Sequence, residues 1–291
     1  MALNEPRLTR NEQREATREK ARQLREANAR KERSKSLIIR LSVVLGIVAA
    51  VAIVVVTILS GVNQNNAVAG GPNNMIYNSG IKIGTDLEAY TKTQTPAPNP
   101  SAAASTNGQV PNIQIYIDYQ CPICGMFESG NTEQLRSWVK TGAATVEIHP
   151  ISFLDGRGSP NTYSSRSANA AVCVANYSPN SFFDYNAALF ANQPAEGTPG
   201  PENDALVARA NTIGVQNASK VADCINNNTY KKWISDTTDK VLDPSYSVQG
   251  SSIKVTGTPT IVVNGKQYTW STEADLTSPA RFAQWVQQAM K

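Results

Sequence analysis

The chain has 291 residues, a formal net charge of +4, 41% hydrophobic and 17% charged residues, and four cysteines, which is ordinary globular composition with room for one large or two medium domains. The charge is not evenly spread: residues 1 to 36 carry 11 Lys/Arg against 6 Glu, Arg40 adds one more, and the rest of the chain is net −2. The basic character therefore belongs to a tail, and the body has no basic face of the kind that nucleic acid demands.

Residues 1–40 read as a basic cytoplasmic tail, because arginines interleaved with glutamates from Arg7 to Arg33 form a solvated, partly helical segment. Residues 41–60 read as a transmembrane helix. Leu41 to Leu59 contains no charge, and 19 residues span about 28 Å as a helix, the thickness of a bilayer core. Lys31, Arg33, Lys35 and Arg40 crowd its N-terminal side and no Lys or Arg follows until Lys82, so the positive-inside rule places the N-terminus in the cytoplasm and the rest outside the cell membrane. A cleaved secretory signal ending near Ala67-Val68-Ala69 is the alternative, and the length of the apolar run and of its basic leader favours a single-pass anchor. Both readings export everything after residue 70. All four cysteines lie in the exported part, where disulfides persist.

Residues 61–110 are rich in Asn, Gly, Pro, Ser and Thr and read as a flexible linker, with a short strand expected near 75–83 from Ile76, Tyr77, Ile81 and Ile83. Ile113 to Asp118 alternates as a strand that ends just before Cys121-Pro122-Ile123-Cys124. Met126, Phe127, Leu135, Trp138 and Val139 have helical spacing up to Gly142, and Thr145 to Ile148 is a further strand, so the C-x-x-C pair opens the helix of a βαβ unit. Residues 159–250 lose strand character and form a helical block, with helices around 168–174, 182–189, 205–213, 215–225 and 230–241. Thr260 to Val263, Asn264-Gly265 and Lys266 to Trp270 make a β-hairpin, since Asn-Gly supplies the two positive-φ residues of a type I′ turn. A last helix runs from about 278 to 290, with Phe282, Trp285 and Val286 on one face.

The chemistry centres on Cys121 and Cys124. A thiol at a helix start faces unpaired N–H groups and the positive end of the dipole, which stabilise a thiolate, so Cys121 is the predicted nucleophile. Cys124, one turn further in, is the predicted resolving thiol. Pro122 suits the first helical position, and neither it nor Ile123 adds a cation. His149, the one histidine, ends a strand beside Pro150 with no partner or cleft indicated, and Asp155-Gly156-Arg157-Gly158 is a turn. No phosphate loop, serine triad or carboxylate pair is present, and neither cofactor nor metal is expected.

Asp118-Tyr119-Gln120-Cys121-Pro122-Ile123-Cys124, Gly257-Thr258-Pro259-Thr260 and Tyr163 to Ala170, in this order of elements, resemble the DsbA-like thiol-disulfide oxidoreductases of the thioredoxin superfamily. The resemblance covers about residues 111–290. It implies an α/β thioredoxin-like fold (111–158 and 251–291) with an inserted all-helical domain (159–250), and a cis Thr258-Pro259 bond facing the cysteines and exposing backbone to an extended substrate. It also implies oxidation of reduced exported proteins and reoxidation by a membrane quinone-linked partner. A reductase or isomerase, and a non-catalytic tethered chaperone module, are the alternatives. Relatives place a buried acid six residues before the first cysteine, where this chain has Ile115. Asp118 is the nearest carboxylate and the candidate for proton transfer; capping the loop or facing solvent are its alternative roles. Four cysteines allow three connectivities. With the first pair reserved for catalysis, Cys173 is expected to pair with Cys224 as a structural disulfide; a four-cysteine zinc site is the competitor and lacks the spacing in its second half.

Overall fold

The computed structural model describes residues 71–92, 110–157 and 160–291. The basic tail, the expected membrane helix over 41–60 and the Ala67-Val68-Ala69 site lie outside the described residues. Among the described residues, no helix is long and apolar enough to cross a membrane.

A five-stranded mixed sheet carries the fold. Its strands are β1 (Ile81–Ile83), β2 (Asn112–Ile117), β3 (Thr145–Pro150), β4 (Thr260–Val263) and β5 (Lys266–Gln267), in the spatial order β1-β3-β2-β4-β5. Central β2 runs parallel to β3 and antiparallel to β4, with Ile115 opposite both Ile148 and Ile261. Its alternation sorts the two faces: Ile113, Ile115 and Ile117 enter the main core, and Tyr116 enters a smaller cluster with Ile151, Val241, Val248, Val255 and Val262.

Between β2 and β3 lies α1 (Pro122–Lys140). Cys124, Phe127, Glu128, Asn131, Leu135 and Val139 form its buried face at helical spacing. Gly130 allows a close approach on this helix, since a Cβ there would stand 2.2 Å from the Thr277 carbonyl oxygen. The helical block follows as α2 (Tyr163–Tyr177), α3 (Phe182–Ala191), α4 (Asn203–Ile213), α5 (Ala218–Asn226) and α6 (Lys231–Leu242). Small Ser and Ala side chains let α2 pass through its centre, buried from Tyr163 to Ala175 and packed by the other four helices. The buried Arg166 guanidinium donates to the carbonyls of Asn161, Pro199 and Pro201, which ties the long α3–α4 loop to α2.

Three expectations change. The linker is narrower than 61–110, because residues 71–92 pack on the body: Ile81 and Ile83 are buried as β1 pairs antiparallel with β3, and the Asn74 amide donates to Ala175 O at 2.8 Å. The strand expected near 75–83 shortens to Ile81–Ile83, because Asn78 and Ser79 adopt positive φ (47° and 73°) and make a turn bridged by Tyr77 and Gly80. The hairpin turn has positive φ at Asn264 (51°) and Gly265 (71°), but its second strand ends at Gln267. Beyond it, Tyr268 and Trp270 turn toward the last helix, where the Tyr268 ring lies 5.1 Å from Phe282 and 4.9 Å from Trp285. That helix is α8 (Pro279–Ala289), and a short α7 (Glu273–Thr277) precedes it, started by a reciprocal Thr272–Asp275 capping box.

Candidate active site

Strand β2 ends at Ile117, a three-residue turn follows, and Cys121 is the N-cap of α1 with Pro122 in the first helical position. The Thr258-Pro259 peptide is cis and stands directly before β4. It meets the first cysteine: Cys121 Sγ lies 3.2 Å from Thr258 O, the thiol donating. Cys121 and Cys124 are both free thiols, with Cys121 7% exposed and Cys124 completely buried. Beside them, Ile123 is 37% exposed.

The two sulfurs differ in acidity for reasons the geometry supplies. The Cys121 thiol is lowered to about 7, first by the hydrogen bond it shares with the Cys124 side chain, against burial, with the Thr258 side chain, rather than its carbonyl, and the first-turn amide of Cys124 adding to the effect. Burial drives the Cys124 thiol the other way, well above its ordinary value. One sulfur is thus half ionised at neutral pH, and its neighbour holds its proton.

Behind the pair, Asp118 is buried and fully engaged. Its Oδ1 accepts from the Gln120 amide (2.8 Å) and from Ser164 Oγ (2.7 Å), and its Oδ2 accepts from the Leu154 amide (2.9 Å). It therefore caps the loop and does not face solvent. Burial raises its pKa to about 6, with the three hydrogen bonds opposing. On the other side, Gln193 Nε2 donates to the carbonyls of Tyr119 (3.2 Å) and Cys121 (2.8 Å). Gly125 makes room for that amide, since a Cβ there would stand 2.2 Å from Gln193 Oε1. Gln120 Nε2 returns the contact by donating to Thr198 O (2.8 Å). The turn that carries Cys121 is thus held by the sheet, by α2 and by the α3–α4 loop together.

A family model described as thioredoxin matches residues 109–280. The chain belongs to the thioredoxin family. Within it, the disulfide bond oxidoreductase DsbG of Mycobacterium tuberculosis is 32% identical, with 65% of this chain and 84% of that one covered and a TM-score of 0.51. DsbA of the same organism is 31% identical over 72% of this chain and 97% of its own, also with a TM-score of 0.51. The serine/threonine-protein kinase PknE of M. tuberculosis is 31% identical over 108 residues, which are 36% of this chain and only 19% of the kinase. The fold is that of a DsbA-like thiol-disulfide oxidoreductase.

In this thioredoxin-family protein the residues singled out from sequence assemble into two places. Cys121, Pro122, Ile123, Cys124, Thr258, Pro259 and Asp118 surround one site. Cys173 on α2 and Cys224 on α5 are joined in a disulfide with their Cα atoms 5.8 Å apart, which leaves no four-thiolate set for zinc. His149 has the partner that the sequence did not indicate, with Nε2 2.9 Å from Glu147 Oε1, but it is 1% exposed and stacked on Tyr116. Ile115, at the position where relatives place an acid, is itself fully buried apolar core, and Asp118 is the carboxylate behind the pair. Sequence reading missed Gln193, Gln120 and Ser164. The Pro and Gly residues between Gln193 and Pro201 are the local signal of a loop that the reading of 159–250 as a helical block passed over, and nothing in them shows that the loop crosses the site.

Proposed function

We propose that this protein is a membrane-anchored extracytoplasmic oxidase of cysteine pairs in exported proteins. The observation that carries the reading is the pairing of Cys121, barely exposed and acidified to about 7 against the cis Thr258-Pro259 bond, with a buried Cys124 one turn inside. In the oxidised enzyme a substrate thiolate attacks Cys121 Sγ. The Cys121–Cys124 bond breaks, and Cys124 leaves with the electron pair and takes up a proton. The substrate's second thiolate then attacks the mixed disulfide, forming the substrate disulfide and releasing Cys121 as a thiolate. Two electrons have passed to the enzyme, and a membrane quinone-linked partner would remove them. The apolar run over 41–60, with its basic flank, is the anchor in this reading, and it places the site outside the cell membrane.

One observation favours a second reading, a reductase or isomerase of the same fold. A nucleophile at about 7 matches thioredoxin more than the strongly acidic thiol of DsbA-type oxidants, and a less stabilised thiolate makes a weaker oxidant. The reduction potential, measured by equilibration with glutathione, separates the two. A value near or below about −270 mV, with the pair reduced in cells, rejects the oxidase. The test of catalysis itself follows a reduced, unfolded protein as it gains disulfides. Wild type accelerates the reaction and Cys121→Ser leaves it at the uncatalysed rate; equal rates with both would end the enzymatic reading.

A further inference from the structure

Beside the cis-proline loop stands a small surface that the thiol exchange itself does not use. The connection leaving β3 is fixed at two points: the Ser152 amide donates to Thr238 Oγ1 at 2.9 Å, and the Leu154 amide donates to Asp118 Oδ2 at 2.9 Å. Between them the half-buried Phe153 turns its ring edge to the proline loop, where a Cβ on Gly257 would stand 3.9 Å from Phe153 Cζ. Gly257 is followed by Thr258, the residue that Cys121 touches. Arg157, exposed, lies over the same ring with its guanidinium carbon 4.2 Å from the centroid. Of the nearby carboxylates, Asp118 takes the Gln120, Leu154 and Ser164 donors, and Asp155 takes the Ser165 amide on Oδ2 while its buried Oδ1 has no hydrogen-bond partner. Among the described residues, no carboxylate is within ion-pair distance of Arg157.

We infer that Phe153 and Arg157 form a specificity subsite that selects exported substrates with an acidic residue close to the cysteine being oxidised. The inference rests on the oxidoreductase reading above and names the substrate class for that site. A guanidinium already stacked on an aromatic ring loses little further freedom when it grips a carboxylate, and its planar fork suits two parallel hydrogen bonds. The pairing also helps the reaction. A carboxylate beside a substrate cysteine disfavours its thiolate, and neutralising that carboxylate on Arg157 removes the penalty as the thiolate approaches Cys121 Sγ.

The test uses the oxidised full-length protein in detergent and three reduced dithiol peptides that differ only in having Glu, Gln or Lys beside one cysteine. The rate at which each peptide passes two electrons to the Cys121–Cys124 disulfide is read by quenching and alkylation. Wild type should prefer the Glu peptide to the Lys peptide by about three-fold, the size of one solvent-exposed ion pair, and 1 M salt should erase most of the preference. Arg157→Glu should invert the order, and Arg157→Gln should abolish the Glu preference and leave the peptides in the intrinsic order of their thiol acidities, with the Glu peptide no faster than the Gln or Lys peptide. Equal rates for all three peptides with wild type, or an Arg157→Glu protein of unchanged melting temperature that keeps the Glu preference, overturns the subsite and leaves the oxidoreductase reading standing. If none of the peptides is oxidised, the oxidoreductase reading falls and takes the subsite with it. Should Arg157→Glu fail to fold, the wild-type salt dependence and Arg157→Gln decide the matter.

Discussion

The chain carries two cysteine pairs, and their surroundings assign them opposite work. Cys173 and Cys224 are 51 residues apart, on two helices of the same block, and both are buried. Their bond closes a long loop. Cys121 and Cys124 are three residues apart at the start of one helix, so opening their bond changes almost nothing in the chain's freedom, and both are free thiols here. All four sulfurs are buried, so what separates the pairs is that one staples two helices distant in the chain and the other sits at a helix start against the Thr258 carbonyl.

The largest expected effect measures the staple. Cys173→Ala/Cys224→Ala should lose about 4 kcal/mol of stability, from the chain entropy released by opening a loop of that length. Cys121→Ala/Cys124→Ala should change the stability of the reduced protein far less. Thermal unfolding of the two double variants tests the contrast, and equal losses in both would break it.

Acidity separates the pairs next. With Cys121 at about 7 in the folded chain against an ordinary 9, folding favours its thiolate, so that contribution is complete above pH 9 and is lost as pH falls through 7. Two units correspond to about 2–3 kcal/mol. The buried Cys124 acts in the other sense above pH 9, because it ionises only on unfolding. Reduced wild type minus Cys121→Ala should therefore gain stability between pH 7 and 9, and a flat difference curve would show that Cys121 is not acidified. Alkylation of the reduced protein should likewise modify Cys121 with a midpoint near pH 7 and leave Cys124 untouched.

Much of this was legible in the sequence, for physical reasons that also set the limit. The C-x-x-C spacing, the Asn264-Gly265 turn and the helical stripe of α1 are local codes, written within a few residues of where they act. The edge strand β1 showed through a segment of linker composition as a short strand near 75–83, but its bounds were not legible, because only pairing with β3 gives Ile81 and Ile83 something to bury against. The α7 helix was signalled by Thr272 and Asp275 at capping-box spacing, but five residues are too few for periodicity to detect. The hold on the active site was not legible. Gln193 is 72 residues from Cys121, and Ser164 is 46 from Asp118, and contacts at that separation are decided by how the helical block docks.

The smallest effect asks how much the supports around Cys121 contribute to its acidity. Asp118, with a pKa of about 6, is mostly ionised at pH 7.5 and disfavours a second negative charge on Cys121. Asp118→Asn keeps the shape, trades one acceptor for a donor among the Gln120, Leu154 and Ser164 contacts, and should move the Cys121 thiol slightly below its wild-type value. Cys124→Ala removes the largest stabilising contact and should move it up, toward the ordinary thiol range, by more than Asp118→Asn moves it down. Thiolate absorbance against pH reads both shifts on one scale. If Asp118→Asn raised the Cys121 value, Asp118 would act on the thiol through the position of the turn and the Leu154 loop rather than through its charge.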